Sequence, residues 1–274
     1  MIDLDAPPLA ELAPAKLNLA LHVRRRRLDG RHEIETIFAF CLDGDRVEVV
    51  PGEGLSLTID GPFADGLSGE GDNLVLRAAR ALAEAAGVPA DAHLRLVKNL
   101  PIASGIGGGS ADAAGTLRLL TRHWHIDPAH AAKVAPGLGS DVPACLLSMT
   151  ARGRGAGDAL DLLVDPFIAG KPVLLVNPLL PLSTAIVFAG WNGQDRGRLG
   201  AWQDGRNDLE APARALVPEI SNVLHWLASQ PGMTITRMSG SGATCFALFA
   251  DEDARDLAAS AITSNWWHLA TNLR

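Results

Sequence analysis

Residues 100–116 read L-P-I-A-S-G-I-G-G-G-S-A-D-A-A-G-T and set Gly105, Gly107, Gly108 and Gly109 directly before an alanine-rich run. Glycine has no Cβ, so backbone N–H groups in such a stretch can close on an anion. A helix starting just behind it adds unpaired N–H donors and the positive end of its dipole. The combination reads as a phosphate cradle, with a glycine-rich surface turn as the plainer alternative. The helix has separate support, because Ala113, Leu117, Leu120 and Trp124 share one face at spacings of four, three and four residues. Ser110 stands where an N-cap is wanted, so the helix is expected over residues 110–124.

The wording of the loop excludes two better-known phosphate loops. A P-loop needs a Lys after its last glycine, and none follows here. A dinucleotide fingerprint needs a third glycine where this chain has Ser110 or Asp112.

A chain of 274 residues accommodates two domains or one large α/β unit. Its 47% hydrophobic and 20% charged residues are those of a globular protein. The opening M-I-D-L-D-A-P-P has no apolar core of a leader, and no stretch is long and apolar enough to span a membrane. Cys41, Cys145 and Cys245 form neither a disulfide framework nor a metal-ligand spacing. A cytoplasmic protein without membrane partners is expected. The net charge of −7 argues against nucleic acid as a partner. Arg24, Arg25, Arg26 and Arg27 dissent, as an anion-steering or RNA-contacting patch or as the solvated end of a hairpin turning at Asp29-Gly30.

Strands are expected over residues 15–23, 34–41, 46–50, 55–59 and 93–97. In the first, Ala15, Leu17, Leu19 and Leu21 fall on one face and Lys16, Asn18, Ala20 and His22 on the other. Residues 73–86 read as a helix with Asp72 or Asn73 as N-cap and Gly87 as its stop. A short helix follows near residues 128–134. The glycine-rich, aperiodic stretch 151–158 suggests a junction, giving domains 1–153 and 154–274. Beyond it come strands at 172–176, 234–238 and 244–249, a short helix at 183–189, a helix pair over 207–227 broken at Pro218, and a helix over 251–263.

Three further features bear on chemistry. Lys16 lies mid-strand, either at an edge with its stem over apolar surface or turned into a site with a negative partner. Asp141, in G-S-D-V-P, either caps a helix or serves as a general base beside a hydroxyl, as phosphoryl transfer to an alcohol requires. Ser239-Gly240-Ser241-Gly242 joins two late strands as a hairpin turn or as anion-facing donors.

Six segments occur together in one order: P-A-K-L-N-L at 14–19, D-G-R-H at 29–32, P-I-A-S-G-I-G-G-G-S at 101–110, L-G-S-D-V-P at 138–143, N-D-L-E at 207–210 and M-S-G-S-G-A at 238–243. This series resembles the GHMP kinase superfamily, and the opening with its D-G-x-H is similar to the branch acting on a cytidine diphosphate sugar alcohol. The resemblance implies an α+β fold of two domains, mixed sheets with helices packed on them, and an active site in the cleft between domains. It implies ATP and Mg²⁺ as cofactors and a small alcohol as substrate; homoserine- or mevalonate-type kinases and a non-catalytic binding protein are the alternatives on the same scaffold.

By the same resemblance Lys16 and Asp141 are the catalytic pair, with Asp141 also touching substrate. The ATP-binding residues are Asn73 together with Pro101, Ile102, Ala103, Ser104, Gly105, Ile106, Gly107, Gly108, Gly109, Ser110 and Ala111. Asn18, Arg31, His32 and Phe188 lie along the substrate pocket. Arg31 stands where the family has Tyr, in a chain with no Tyr, and its guanidinium plane can stack on a base. Ala111 replaces a second Ser after the glycines. No acidic pair has a Mg²⁺ spacing, and the metal ligands stay open.

Overall fold

A computed structural model describes residues 9–67, 73–263 and 265–274. Asp72 and the first eight residues, on which two expectations rested, lie outside the described residues. The first sheet is organised by two long antiparallel strands, β1 (Leu9–Arg26) and β2 (His32–Val50). On the other edge of β2 lie β4 (Ala92–Val97), which carries β3 (Leu55–Asp60) parallel to it, and the hairpin of β5 (Ala151–Arg154) and β6 (Ala159–Leu162). Four helices, α1 (Leu74–Ala86), α2 (Gly108–His123), α3 (Pro128–Leu138) and α4 (Val142–Leu147), cover its outer face. There Val75, Ala78, Leu82, Leu117 and Leu120 share a core with Phe38, Phe40, Val47 and Leu94.

The second sheet runs in the order β10 (Trp267–Asn272), β7 (Pro172–Asn177), β9 (Cys245–Phe249), β8 (Met233–Met238), all antiparallel. Its outer face carries α5 (Thr184–Ala189), α6 (Glu210–Leu216), α7 (Glu219–Ala228) and α8 (Glu252–Ser260). Alternation divides its side chains cleanly. Leu174, Val176, Cys245 and Ala247 pack under these helices, while Val173, Leu175, Phe246 and Leu248 meet Ala15, Leu17, Leu19 and Ile37 of the first sheet. The two domains are thus layered as helices, sheet, sheet, helices, and the contact between sheets is a continuous apolar core.

The expected alternation along residues 15–23 holds through Leu19 and then slips. Register shifts at Asn18/Ala20 and Val23/Arg25 put Ala20 into the core beside Leu19. Both faces of β1 are covered, so Lys16, Asn18 and His22 are buried. Residues 42–45 read as a turn but continue β2, because Gly44 lets β1 approach so closely that a Cβ would stand 2.1 Å from the Ala13 carbonyl oxygen.

The division expected after residue 153 cuts through β5, and the first sheet continues to Leu162. The glycines there serve packing: a Cβ on Gly153 would lie 2.5 Å from the Phe38 ring. Strand β10 was not anticipated. Among the described residues no helix is long and apolar enough to cross a membrane, and the three cysteines are buried and unpaired.

Candidate active site

Helix α2 begins two residues before the expected Ser110 start. Its N-cap is Gly107, in the left-handed region at φ +66, and the first helical bond runs from the Ala111 N–H to the Gly107 carbonyl at 2.8 Å. The amides of Gly108, Gly109 and Ser110 therefore precede the helical ladder. These residues line a cleft of about 340 Å³, and a Cβ on Gly109 would meet nothing within 4 Å. At Gly107 there is no such room, since a Cβ would stand 2.9 Å from Lys16 Cε.

Lys16 is held directly against this turn. Its backbone N–H donates to the Ile106 carbonyl at 2.9 Å, and its stem is buried with the ammonium 5.7 Å from the Phe38 ring centroid. Lys16 Nζ donates to Asn18 Oδ1 at 2.8 Å and pairs with Asp141 Oδ2 at 3.0 Å. Asn18 Nδ2 in turn donates to Thr36 Oγ1 at 2.8 Å, which fixes the amide that orients the lysine. Asp141 occupies the N-cap position of α4 without capping it, and its carboxylate is a third exposed toward the cleft. An acceptor beside an anchored ammonium suits proton removal from a hydroxyl.

The Ser239–Gly242 segment joins β8 to β9 and also builds the opposite wall. Ser239 Oγ accepts from the Asn18 N–H and donates to the Gly105 carbonyl, both at 3.1 Å. Gly240 and Ser241 line the cleft, and the Ser241 hydroxyl meets that of Thr184 on α5 at 2.8 Å. Asn207, from N-D-L-E, donates to the carbonyls of Met238 and Gly240 at 2.7 and 2.8 Å and so holds this loop.

Beneath the glycine turn lies a charge cluster that sequence reasoning missed. Lys98, 2% exposed, donates to Asp45 Oδ2 at 2.5 Å and to Asp112 Oδ2 at 2.7 Å. Its members come from β2, the end of β4 and the first turns of α2, so spacing along the chain gives no signal of their meeting.

A second pocket of about 480 Å³ shares Ile34, Ser140, Ala156 and Phe188 with the first. His32 packs there against Phe188 with centroids 4.9 Å apart and edge-on to Trp191 at 5.8 Å. Burial, with the Arg26 cation adding, holds the His32 imidazole below its ordinary pKa. Its Nε2 is buried and, among the described residues, without a hydrogen-bond partner. Trp191 is a second contributor that the sequence reading omitted. Arg31 lines the pocket but is exposed, its Nε 3.4 Å from Asp29.

The structure thus brings Lys16, Asn18, Asp141, Ala103, Ser104, Gly105, Gly107, Gly108, Gly109, Ser110 and Phe188 to one cleft and Arg31 and His32 to the adjoining pocket. Five expected contacts do not line the cleft. Ile106 and Ala111 are turned into the core, Pro101 is buried, Ile102 lies by Gly66, and Asn73 caps α1 through its Oδ1, leaving Leu74 on the cleft wall. The basic run is tied to acids of its own surroundings: Arg24 to Asp195, Arg25 to Glu33 and Arg27 to Asp29. Arg26 lines the second pocket.

Family models match in two parts, the GHMP kinases N terminal domain over residues 73–149 and the GHMP kinases C terminal region over residues 192–268. The 4-diphosphocytidyl-2-C-methyl-D-erythritol kinase of Rhizorhabdus wittichii is 53% identical, over 96% of this chain and 94% of its own length. That of Novosphingobium aromaticivorans is 49% identical over 98% of this chain and 94% of its own. A crystal structure of 4-(cytidine 5'-diphospho)-2C-methyl-D-erythritol kinase superposes with a TM-score of 0.82 at 34% identity, covering 96% of this chain and 98% of that one. Homoserine kinase from Cytophaga hutchinsonii, at 15% identity and a TM-score of 0.70, shares the fold.

Proposed function

The chain belongs to the GHMP kinases, and from that premise we propose that it transfers the γ-phosphoryl group of ATP to the 2-hydroxyl of 4-diphosphocytidyl-2-C-methyl-D-erythritol, in non-mevalonate isoprenoid precursor biosynthesis. One observation carries the chemistry: a lysine and a carboxylate 3.0 Å apart at the mouth of a glycine turn that opens a helix. Phosphoryl transfer asks for in-line positioning and neutralisation of spread negative charge more than for covalent chemistry. The amides of Gly108, Gly109 and Ser110, with the α2 dipole, hold the phosphates. Asp141 accepts the proton of the attacking hydroxyl. Lys16 orients Asp141 and offsets charge on the transferring group.

Mg²⁺ fits as an ion carried on the nucleotide. Among the described residues no group of three acidic, His or Cys side chains could cage it, and Asp141 is the carboxylate that faces the cleft. When bound it neutralises charge on the phosphoryl oxygens, with Asp141 as the side chain to hold it. The second pocket takes the cytidine end. Phe188 and the Arg31 guanidinium offer stacking surfaces, and His32, whose Nε2 has no hydrogen-bond partner among the described residues, lines the same pocket. The three buried free thiols are consistent with work in the reducing cytoplasm.

The test is ADP release by purified protein given Mg-ATP and the cytidyl alcohol. Asp141→Asn is expected to lower kcat by about 10²- to 10⁴-fold while ATP binding persists. Turnover of homoserine or mevalonate in its place refutes the substrate assignment, and RNA retained on a filter at physiological salt refutes the exclusion of nucleic acid.

A further inference from the structure

We propose that Asp112 is a positioning residue through which the cradle binds its nucleotide together with a proton: phosphates above the first turn of α2 and a neutral Asp112 carboxyl beneath it favour one another. The proposal rests on reading the cradle as the nucleotide site. One ammonium, Lys98, stands between two buried carboxylates, so with both ionised the cluster carries an uncompensated negative charge.

The two acids are not equivalent. Asp45 also accepts the backbone N–H groups of Asn99 and Leu100 at 2.6 and 2.8 Å, which stabilise its charge. Asp112 has Lys98 as its one charged donor, and its Oδ1 is buried with no hydrogen-bond partner among the described residues. The surplus charge is therefore resolved at Asp112. Burial pushes its carboxyl up to about 8, with Lys98 pulling it down and Asp45 pushing it up.

The cluster lies directly under the anion site. A Cβ on Gly108, which lines the cleft, would stand 3.0 Å from Lys98 Nζ and 3.7 Å from Asp45 Oδ2. The other titratable groups facing this side of the cluster are accounted for among the described residues. From α4 the Cys145 thiol is pushed up to about 12 by burial, with Asp141 adding, and stays protonated. Lys16 and Asp141 are paired with each other across Gly107, and α1 and α3 pack Ala78, Leu82 and Ala131 into this side of the core. A polyanion held by the α2 amides raises the cost of a second buried negative charge, so Asp112 keeps its proton more tightly when the cradle is filled. By linkage, the nucleotide binds more weakly once Asp112 is ionised.

Isothermal titration of the full chain with Mg-ATP, at about pH 7, 8.5 and 9.5 and in two buffers of different ionisation enthalpy, reads both quantities. Nucleotide phosphates titrate near about pH 6, so uptake above pH 8 belongs to the protein. A fraction of a proton is expected to enter on binding at the middle pH, with affinity falling up to about tenfold by the highest for a bound-state shift of one unit. Asp112→Asn is expected to abolish both the uptake and the fall. In wild-type protein, NMR titration of the Asp carboxyl carbons gives a second reading that needs no variant. One midpoint is expected near 8, moving upward with ATP. Equal uptake in Asp112→Asn, a flat wild-type affinity, or a midpoint unmoved by ATP overturns the proposal; failure to bind ATP at any pH overturns the cradle reading with it.

Discussion

Replacing Gly105 by Ala strikes the joint between the two glycine loops. Gly105 sits at φ +79, and a Cβ there would stand 2.6 Å from the carbonyl oxygens of both Ser239 and Gly242 and 2.8 Å from the Gly242 nitrogen. All three obstacles are backbone, so no side chain can swing aside, and the loops must part by several tenths of an ångström. The left-handed conformation costs an Ala about 1–2 kcal/mol, and forced overpacking about 1–3 kcal/mol more. The sum, ~2–5 kcal/mol, is a large share of the ~5–15 kcal/mol that holds a typical domain folded. At about 2–4 °C per kcal/mol for a chain of this size, Gly105→Ala is expected to melt roughly 5–15 °C below wild type by circular dichroism. Gly109→Ala is the matched control. A Cβ there meets nothing within 4 Å, and in a helical position Ala gains up to about 1 kcal/mol over Gly. Its melting point should hold or rise while KM for ATP increases, because the methyl group enters the space read as the phosphate site. A Gly105→Ala protein melting within about 2 °C of wild type, or a Gly109→Ala protein with unchanged KM for ATP, would refute the reasoning.

Two further outcomes follow from the second pocket and the histidines. Phe188→Ala, which removes a ring 4.9 Å from His32, should raise KM for the cytidyl alcohol by about 3- to 10-fold, the equivalent of a ~0.5–1.5 kcal/mol stacking contact, with KM for ATP unmoved; steady-state kinetics in each substrate separates the two. His22, His32 and His123 are each held below the ordinary imidazole value of 6.5, burial being the first cause in every case. The unfolded chain then binds protons that the folded one refuses, so their contribution is complete above about pH 6.5 and is lost as pH falls below it. Melting points measured from pH 7.5 down to 5 should decline, and a His32→Gln protein should decline less steeply; identical slopes would show that His32 takes no part.

Local rules made the glycine turn and the helix behind it legible before any coordinates, because a glycine run opening an amphipathic helix is written in consecutive residues. The same holds for the break at Pro218, the stop at Gly87 and the turn at Asp29-Gly30, each a matter of dihedral preference within a few positions. Which side of Lys16 faces a partner was not legible. Alternation set Lys16 with Asn18 and His22 on a polar face, but both faces of β1 are buried, and the partner comes from the N-cap position of α4. Glycine was also ambiguous in sequence: Gly153 and Gly44 read as loop and turn but are strand residues whose missing Cβ admits Phe38 and Ala13.

The sequence by itself determined the local parts, with a glycine turn opening a helix, one lysine and one aspartate in family order, since each is specified by residue type and near neighbours. Only the tertiary structure decided their company. The pairing of Asp141 with Lys16, the lock of Gly105 against Ser239 and Gly242, and the burial of Lys98 between Asp45 and Asp112 join residues from 14 to more than 130 positions apart. Contacts across such distances are set by how two sheets and their helices stack, and no periodicity in the chain encodes them.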